Sequence, residues 1–373
     1  MDGNARLAGL IVFFLAALLL AACSQPMFKT TDTRTGAAVP RYAVDPYWPK
    51  PLPNQWALGQ VAGLAVDRAG LLWVIHRPGT VAEDEKGASY TPVRAKCCKP
   101  APPVLVFDAE GNVVRSWGGP GSGYDWPQNE HGIYVDQAGN VWVGGNGLKD
   151  HHVLKFTADG KFLLQIGKPG ASGGSNATDQ LGRPAQMEVD PAANELYIAD
   201  GYGNKRVIVF DATTGAYKRH WGAYGKRPDD AKMATHNPES PQFANPVHCV
   251  RLANDGLVYV CDRTNNRIQV FRKDGTFVRQ YVVEPQTKIN GAVHDMILSP
   301  DALQAYLIVG DGSNSEVHLI QRTTGQKLSS FGRMGRQAGE FYGLHNLAAD
   351  ARGNLYTAEV RSGKRVQRFT PVR

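Results

Sequence analysis

The sequence predicts an all-β protein: a six-bladed β-propeller with four-stranded blades, its ring closed by an N-terminal strand. Three observations carry this. First, a turn of the Asp-x-x-Gly kind or a close equivalent recurs six times, at 67–70, 136–139, 190–194, 253–256, 299–302 and 350–353. Second, each turn is followed by an apolar or aromatic run (71–77, 140–146, 195–201, 257–263, 305–311 and 354–360), which reads as the second arm of a tight hairpin. Third, a further short apolar run follows in every copy (104–107, 153–156, 207–210, 268–271, 317–320 and 366–369). Their last residues lie 49, 54, 61, 49 and 49 positions apart. Glycine turns at Gly111, Gly160, Gly215, Gly275 and Gly325 then open a fourth strand, which ends Trp117-Gly118, Trp221-Gly222 or Phe331-Gly332 in three copies. Four strands repeated at roughly 40–50 residues are the signature of a propeller blade.

The sixth copy stops near Thr370 and lacks its fourth strand, while a strand-like segment around 41–47 precedes the first copy. That segment is expected to complete blade six. A chain of 373 residues could by length hold two domains. The repeat instead joins residues 41–373 in one body, because each blade stacks on its neighbours. No strong helical periodicity runs through this part.

The N-terminus reads as an address. Arg6 precedes the apolar run 7–20, which is short for a membrane span, and Leu20-Ala21-Ala22-Cys23 follows. This resembles a bacterial lipobox. Residues 1–22 are then a lipoprotein signal peptide, Cys23 the lipidated first mature residue, and 23–40 a flexible tether. Ser24 in second place resembles the outer-membrane sorting pattern. The expectation is an exported protein anchored in the cell envelope, on the periplasmic face of the outer membrane. A formal charge of +7 spread along the chain without a basic cluster argues against a nucleic-acid partner.

Export permits disulfides. Cys249 and Cys261 fall on opposite arms of the blade-four hairpin, so a cross-strand disulfide and buried free thiols are both open. Cys97 and Cys98 are adjacent in the long insertion 78–103 and carry no assigned chemistry. The sequence does not set the oligomeric state.

The chemistry lies in the repeat register. Five residues before the first turn stand His131, His248, His294 and His345, in blades two, four, five and six. First strands line a propeller's central channel, so equivalent positions converge. Blades two, four and six form an alternating threefold set, and three neutral imidazoles with an open position make a catalytic zinc site. His294 is expected to face substrate or to support the ligands. His151 and His152 are expected to be peripheral, and His76 to point away from Arg77. Arg77 and Arg263 end second strands, both ten residues past the aligned turn residue, and Tyr202 follows the second strand of blade three. Antiparallel pairing places them at the histidine end of the channel. The insertions 78–103, 119–130, 168–183 and 223–246 emerge at that mouth and are expected to wall a pocket.

Taken together, these motifs resemble a known family. The blades are similar to NHL repeats, and the set resembles peptidyl-α-hydroxyglycine α-amidating lyase over roughly 55–370. The anchors are Val-Ala-Gly-Leu-Ala-Val-Asp (61–67) with Ile-His-Arg (75–77), Glu-His-Gly-Ile (130–133) and Asp-Gly-Tyr-Gly-Asn (200–204). Pro-Val-His-Cys (246–249), Cys-Asp-Arg-Thr-Asn-Asn-Arg-Ile-Gln (261–269) and Gly-Leu-His-Asn (343–346) complete them. The resemblance implies Zn²⁺ on His131, His248 and His345, and Tyr202 as the base on a substrate hydroxyl. It implies Arg77 and Arg263 on the carboxylate of a small-molecule or peptide substrate. It also implies a structural Ca²⁺ held by the backbone carbonyls of Val61 and Ile133 and the side chain of Asn346. Three positions depart from the pattern. Asn346 stands where the family has Asp, Gly343 where it has Met, and Gly203 where animal members have a disulfide-forming Cys. The reaction implied is cleavage of a carbinolamide, N–CH(OH)–COO⁻, to an amide and glyoxylate. Two other readings stand beside it. One is a non-enzymatic, lipid-anchored propeller that binds or scaffolds at the cell envelope. The other is a calcium-dependent hydrolase of the lactonase kind, which needs acidic and amide ligands such as Asn146 and Asp311.

Overall fold

Six four-stranded antiparallel sheets are arranged as the repeat requires. The computed structural model describes residues 39–170 and 172–372. The signal peptide 1–22, Cys23 and nearly all of the tether lie outside the described residues. Pro40–Arg373 forms one compact unit. Blade one consists of Gln60–Val66, Leu72–Arg77, Val104–Phe107 and Val113–Trp117, and the next four blades repeat this order. Among the described residues the only helical pieces are short 3₁₀ turns, such as Arg263–Asn265.

Second strands are apolar without alternation because a neighbouring blade covers each face. Leu72, Trp73, Val74 and Ile75 are all buried, as are Val141, Trp142 and Val143. Fourth strands lie at the rim, and Val113–Trp117 and Phe277–Val282 accordingly mix exposed and half-buried positions. Apolar clusters fill the contacts between adjacent blades; one joins Val61, Leu72 and Phe107 of blade one to Tyr356 and Val366 of blade six. The turns are built alike. Asp136 accepts from the Ala138 and Asn140 amides with Oδ1, and from the Trp142 indole with Oδ2 at 3.1 Å. Asp67 and Asp350 do the same for Trp73 and Tyr356. A short Asx turn thus pins the core aromatic of the next strand.

Arg41–Asp45 pairs antiparallel with Arg365–Val372 and becomes the fourth strand of blade six. Asp45 meets Arg368 at 2.5 Å, and Tyr42 packs on Phe331 with ring centroids 5.6 Å apart. Just beyond, Trp48 fills the blade-six to blade-one contact against Phe107 and Tyr356. Removing residues 41–45 would leave the last strand with an open edge. The expected result is a melting temperature lower by at least about 5 °C, read by circular dichroism. An unchanged melting temperature would place closure of the ring elsewhere.

Candidate metal centre

The inner strands carry a detail that sequence periodicity does not show. In blades one, two, four and six the pairing with the second strand slips by one residue, at Ala62, His131, His248 and His345. Each is a β-bulge at the position five residues before the turn. A bulge leaves one residue out of the ladder and re-aims its side chain. The imidazoles of blades two, four and six meet in a nearly equilateral triangle, with ring centroids 5.0, 4.8 and 4.9 Å apart.

Each of these rings is oriented by the next blade. His131 Nδ1–H donates to Ala185 O at 2.7 Å, His345 Nδ1–H to Ala62 O at 2.8 Å, and His248 Nδ1–H to His294 O. The three acceptors occupy the equivalent position in blades three, one and five. A carbonyl can only accept, so every Nδ1 carries the proton and every Nε2 presents a lone pair. Burial, helped by the arginines, keeps the rings neutral. It pushes His131 and His248 well below the ordinary histidine range, and His345 to about 3. The three histidines offer ligand atoms within 4.8 Å of one another.

Tyr202 closes the cluster. Its oxygen lies 3.0 Å from Nε2 of both His131 and His248, and Arg263 Nη1 donates to it at 3.3 Å. The loop 200–206 that carries it is held on every side. Asp200 accepts from Gly182 N, Asn204 Nδ2 and Arg206 Nε, the last a fully buried ion pair at 2.9 Å. Asn245 Nδ2 donates to the carbonyls of Gly201 and Asn204. A Cβ on Gly201 would fall 1.9 Å from Val247 O, so only glycine lets the loop lie on blade four. Arg263 is held in the same way, by the buried Asp262–Arg267 pair at 2.7 Å in the adjoining loop.

The donor set fits a cation. Three Nε2 lone pairs and a phenol oxygen converge, and only the single phenol proton lies between them. Neutral imidazoles with their far nitrogens tied to carbonyls suit a transition metal such as Zn²⁺. The other candidate cluster joins Cys249, Cys261 and Asp295, but the two cysteines are bonded to each other across the hairpin, Cα to Cα 4.8 Å. Cys97 and Cys98 are bonded to each other as well.

Residues named for calcium do not fit that ion. Asn346 accepts from Leu64 N with Oδ1 and donates to Asp295 Oδ2 with Nδ2, both at 2.7 Å. Arg251 also bonds Asp295 at 3.0 Å, so a guanidinium supplies the positive charge of this layer. Val61 and Ile133 lie in the ladder beside it, opposite His76 and Val143. No role is derived for calcium.

Arg77, Tyr202, Arg263, His294 and His345 line one cavity of about 220 Å³. Arg77 is fixed there by Glu130 O and Gln60 Oε1, each at 2.8 Å. The long insertions add nothing to its lining, contrary to expectation. Segment 78–103 turns back onto the body, where Lys99–Pro100 pairs with Trp56–Ala57 and Glu85 meets Lys364. Segment 223–246 helps enclose a separate cavity at Asp230 and Phe243. Two insertion ends reach the site: Glu130, through its carbonyl on Arg77, and Arg183, with its guanidinium 5.7 Å from the Tyr202 ring. His151 and His152, expected at the periphery, are buried and bonded to backbone carbonyls. His76 is buried away from the cavity, between Gly59 N and Pro102 O. Asp311 is absorbed by its own loop, bonding Ser313, Asn314 and His318.

Sequence reasoning missed Arg183, Asn290 and Arg361. It named Asn146 only as a ligand in the hydrolase reading, although Asn146 shares the ten-residue offset of Arg77 and Arg263 and lines this cavity. Arg361 lies one residue beyond that offset and escapes the same arithmetic.

Comparison with known proteins follows from this geometry. Residues 247–271 match the NHL repeat model. The chain is a six-bladed propeller, and one stretch of it matches the NHL repeat. The chain is 26% identical over 327 residues to peptidyl-glycine alpha-amidating monooxygenase B of Xenopus laevis, covering 84% of this chain and 34% of that protein. The chain thus spans about a third of that relative's length. It is 25% identical to peptidyl-alpha-hydroxyglycine alpha-amidating lyase 2 of Drosophila melanogaster, covering 89% and 75%. It is 26% identical to human NHL repeat-containing protein 3, covering 96% and 94%. A streptogramin B lyase structure shares the fold, with a TM-score of 0.50, 12% identity and coverage of 89% and 98%.

Asp200→Ala leaves Arg206 buried without its partner and should cost about 3–5 kcal/mol, measured by urea unfolding. A loss below about 1 kcal/mol would mean that the ion pair does not hold the Tyr202 loop.

Proposed function

We propose that the protein is a zinc-dependent lyase that cleaves the C–N bond of an α-hydroxyglycine-type carbinolamide to an amide and glyoxylate. The observation that carries this is the convergence of three imidazoles, two of them with Nε2 on the Tyr202 oxygen, beside an arginine-lined cavity. The relatives named as amidating lyases support it. His131, His248 and His345 would hold Zn²⁺, which when bound makes a hydroxyl more acidic and stabilises negative oxygen.

The chain's own groups account for the rest. Arg77 and Arg263 bind the substrate carboxylate, a planar anion that suits guanidinium. That fixes the hydroxyl-bearing carbon against Tyr202. Once its own proton has left to solvent, the Tyr202 phenolate oxygen takes the hydroxyl proton and passes it to the departing nitrogen. The O–H electron pair becomes the second bond of the new aldehyde as the C–N pair leaves with nitrogen. The nitrogen gains a proton, so an amide and glyoxylate form with no other reactant. Arg263, already donating to the phenol oxygen, holds that oxygen toward the substrate.

Metal analysis of the purified chain should give one zinc per chain, and His131→Ala with His248→Ala should abolish it. Glyoxylate should be released from α-hydroxyhippurate, and Tyr202→Phe should lower turnover by ~10²-fold or more with zinc retained. A smaller loss would move the base to another group. A second reading is a binding propeller; the match to NHL repeat-containing protein 3, whose name states no reaction, is compatible with either. Stoichiometric zinc without glyoxylate release from any carbinolamide would favour the binding propeller.

The address read from residues 1–23 places this chemistry outside the cytoplasm, on a lipid anchor at Cys23, so substrates would be those met in the cell envelope. Labelled palmitate should be incorporated in cells and lost in Cys23→Ala. Label that persists in the variant would remove the anchor.

A further inference from the structure

We infer that the cavity beside the histidines has a second anion subsite, built by Arg361, Asn290 and His294, and that the substrate carries a second negative group besides the carboxylate at its reacting carbon. This rests on the lyase reading only for which anion is which.

The cavity is rich in positive charge and in donors without acceptors. Arg77, Arg263 and Arg361 line the cavity, and no aspartate or glutamate does. Arg77 has partners: Glu130 O and Gln60 take its protons, and the Glu130 and Asp150 carboxylates stand behind it. Arg263 has the phenol oxygen, and its buried Nε meets no acceptor. Arg361 makes no hydrogen bond or ion pair among the described residues. The acid nearest to it in sequence, Glu359, is taken up by Arg365, Gln367 and Tyr342 N. Two guanidiniums therefore face the cavity without a carboxylate. A substrate with one carboxylate answers only one of them.

Neighbouring groups have the same polarity. His294 Nδ1 accepts from Gly312 N at 3.1 Å, so its proton sits on Nε2 and the ring is a donor, with the Ala292 carbonyl also in reach. Asn290 lines the same wall with an amide that bonds no described residue. Gly343 leaves this side open. Its φ is +94°, and a Cβ there would lie 2.7 Å from Val360 O and 3.4 Å from the Arg361 Cβ. No side chain therefore stands between Arg361 and the cavity. A guanidinium, an imidazole N–H and an amide on one open wall recognise a carboxylate or phosphoryl group. The ligand class is thus an N-acyl-α-hydroxyglycine whose acyl part ends in an anion.

Binding tests this without turnover. The full chain with its bound metal is titrated calorimetrically at 0.15 M salt with N-succinylglycine, its terminal amide N-succinamoylglycine, and N-phosphonoacetylglycine. The expected result is at least tenfold tighter binding of one of the two anionic compounds than of the amide. Arg361→Gln should reduce that advantage below threefold. Arg68→Gln, which removes an exposed cation at a first turn far along the chain, should leave it intact. Equal binding of acid and amide, or an advantage that survives Arg361→Gln, would overturn the subsite. Failure of the α-hydroxy counterparts to release glyoxylate would instead remove the lyase reading, with the binding result standing.

Discussion

A hydrogen bond from each histidine of the triad to a carbonyl of the next blade is the interaction on which the rest of the site depends. It runs from His131 to Ala185, from His248 to His294 and from His345 to Ala62. The bond fixes the ring plane and the tautomer together, so Nε2 is left as an acceptor aimed inward. It also crosses a blade boundary each time. The histidine triad is therefore assembled only when the ring is closed, because His345 is oriented by blade one. The N-terminal strand that completes blade six, remote in sequence from every ligand, is part of the same geometry.

One residue along the inner strands from the histidine position, the channel changes character. Asp295 is buried and accepts from Arg251, Gln186, Asn346 and the amides of Met296 and Leu347. Burial raises its carboxyl above the usual range, against the pull of Arg251, so the charge is held only because so many donors surround it. This layer is satisfied by its own groups. The layer above it is not. There, lone pairs converge with a single proton between them, and guanidiniums face a cavity without acids. The contrast separates two layers in one channel: the satisfied one holds the blades, and the unsatisfied one is the candidate site.

Much of this was legible in the sequence because the information was periodic. Six Asp/Gly turns at one spacing are enough to set blade number, strand order and the position that faces the channel. From those, the convergence of His131, His248 and His345 follows, as does the gathering of Arg77, Tyr202 and Arg263. What was not legible is aperiodic. The bulges at the histidine position leave no residue signature, since Ala62 shares one with three histidines. The insertions were expected to wall the pocket because they leave from the right mouth. Where a long loop goes after that depends on contacts such as Glu85 with Lys364, some 280 residues apart in sequence, which no local pattern encodes. Asn346 read as a weakened cation ligand because only its charge could be compared. Its true partners, Leu64 N and Asp295, come from other blades.

His294 shows how little residue identity decides at such a position. It shares the register of the three ligands and is just as buried. Yet its ring meets the Gly312 amide where theirs meet carbonyls. An N–H against Nδ1 puts the proton on Nε2, and the lone pair a metal would need is gone. Its own carbonyl meanwhile orients His248. Blade five thus serves as an odd blade through its backbone, like blades one and three with Ala62 and Ala185, while its side chain becomes a donor on the cavity wall. Alternation of ligand and carbonyl around six blades gives a threefold site from a sixfold ring. A fourth imidazole in register does not break that pattern, because one backbone amide reverses its polarity.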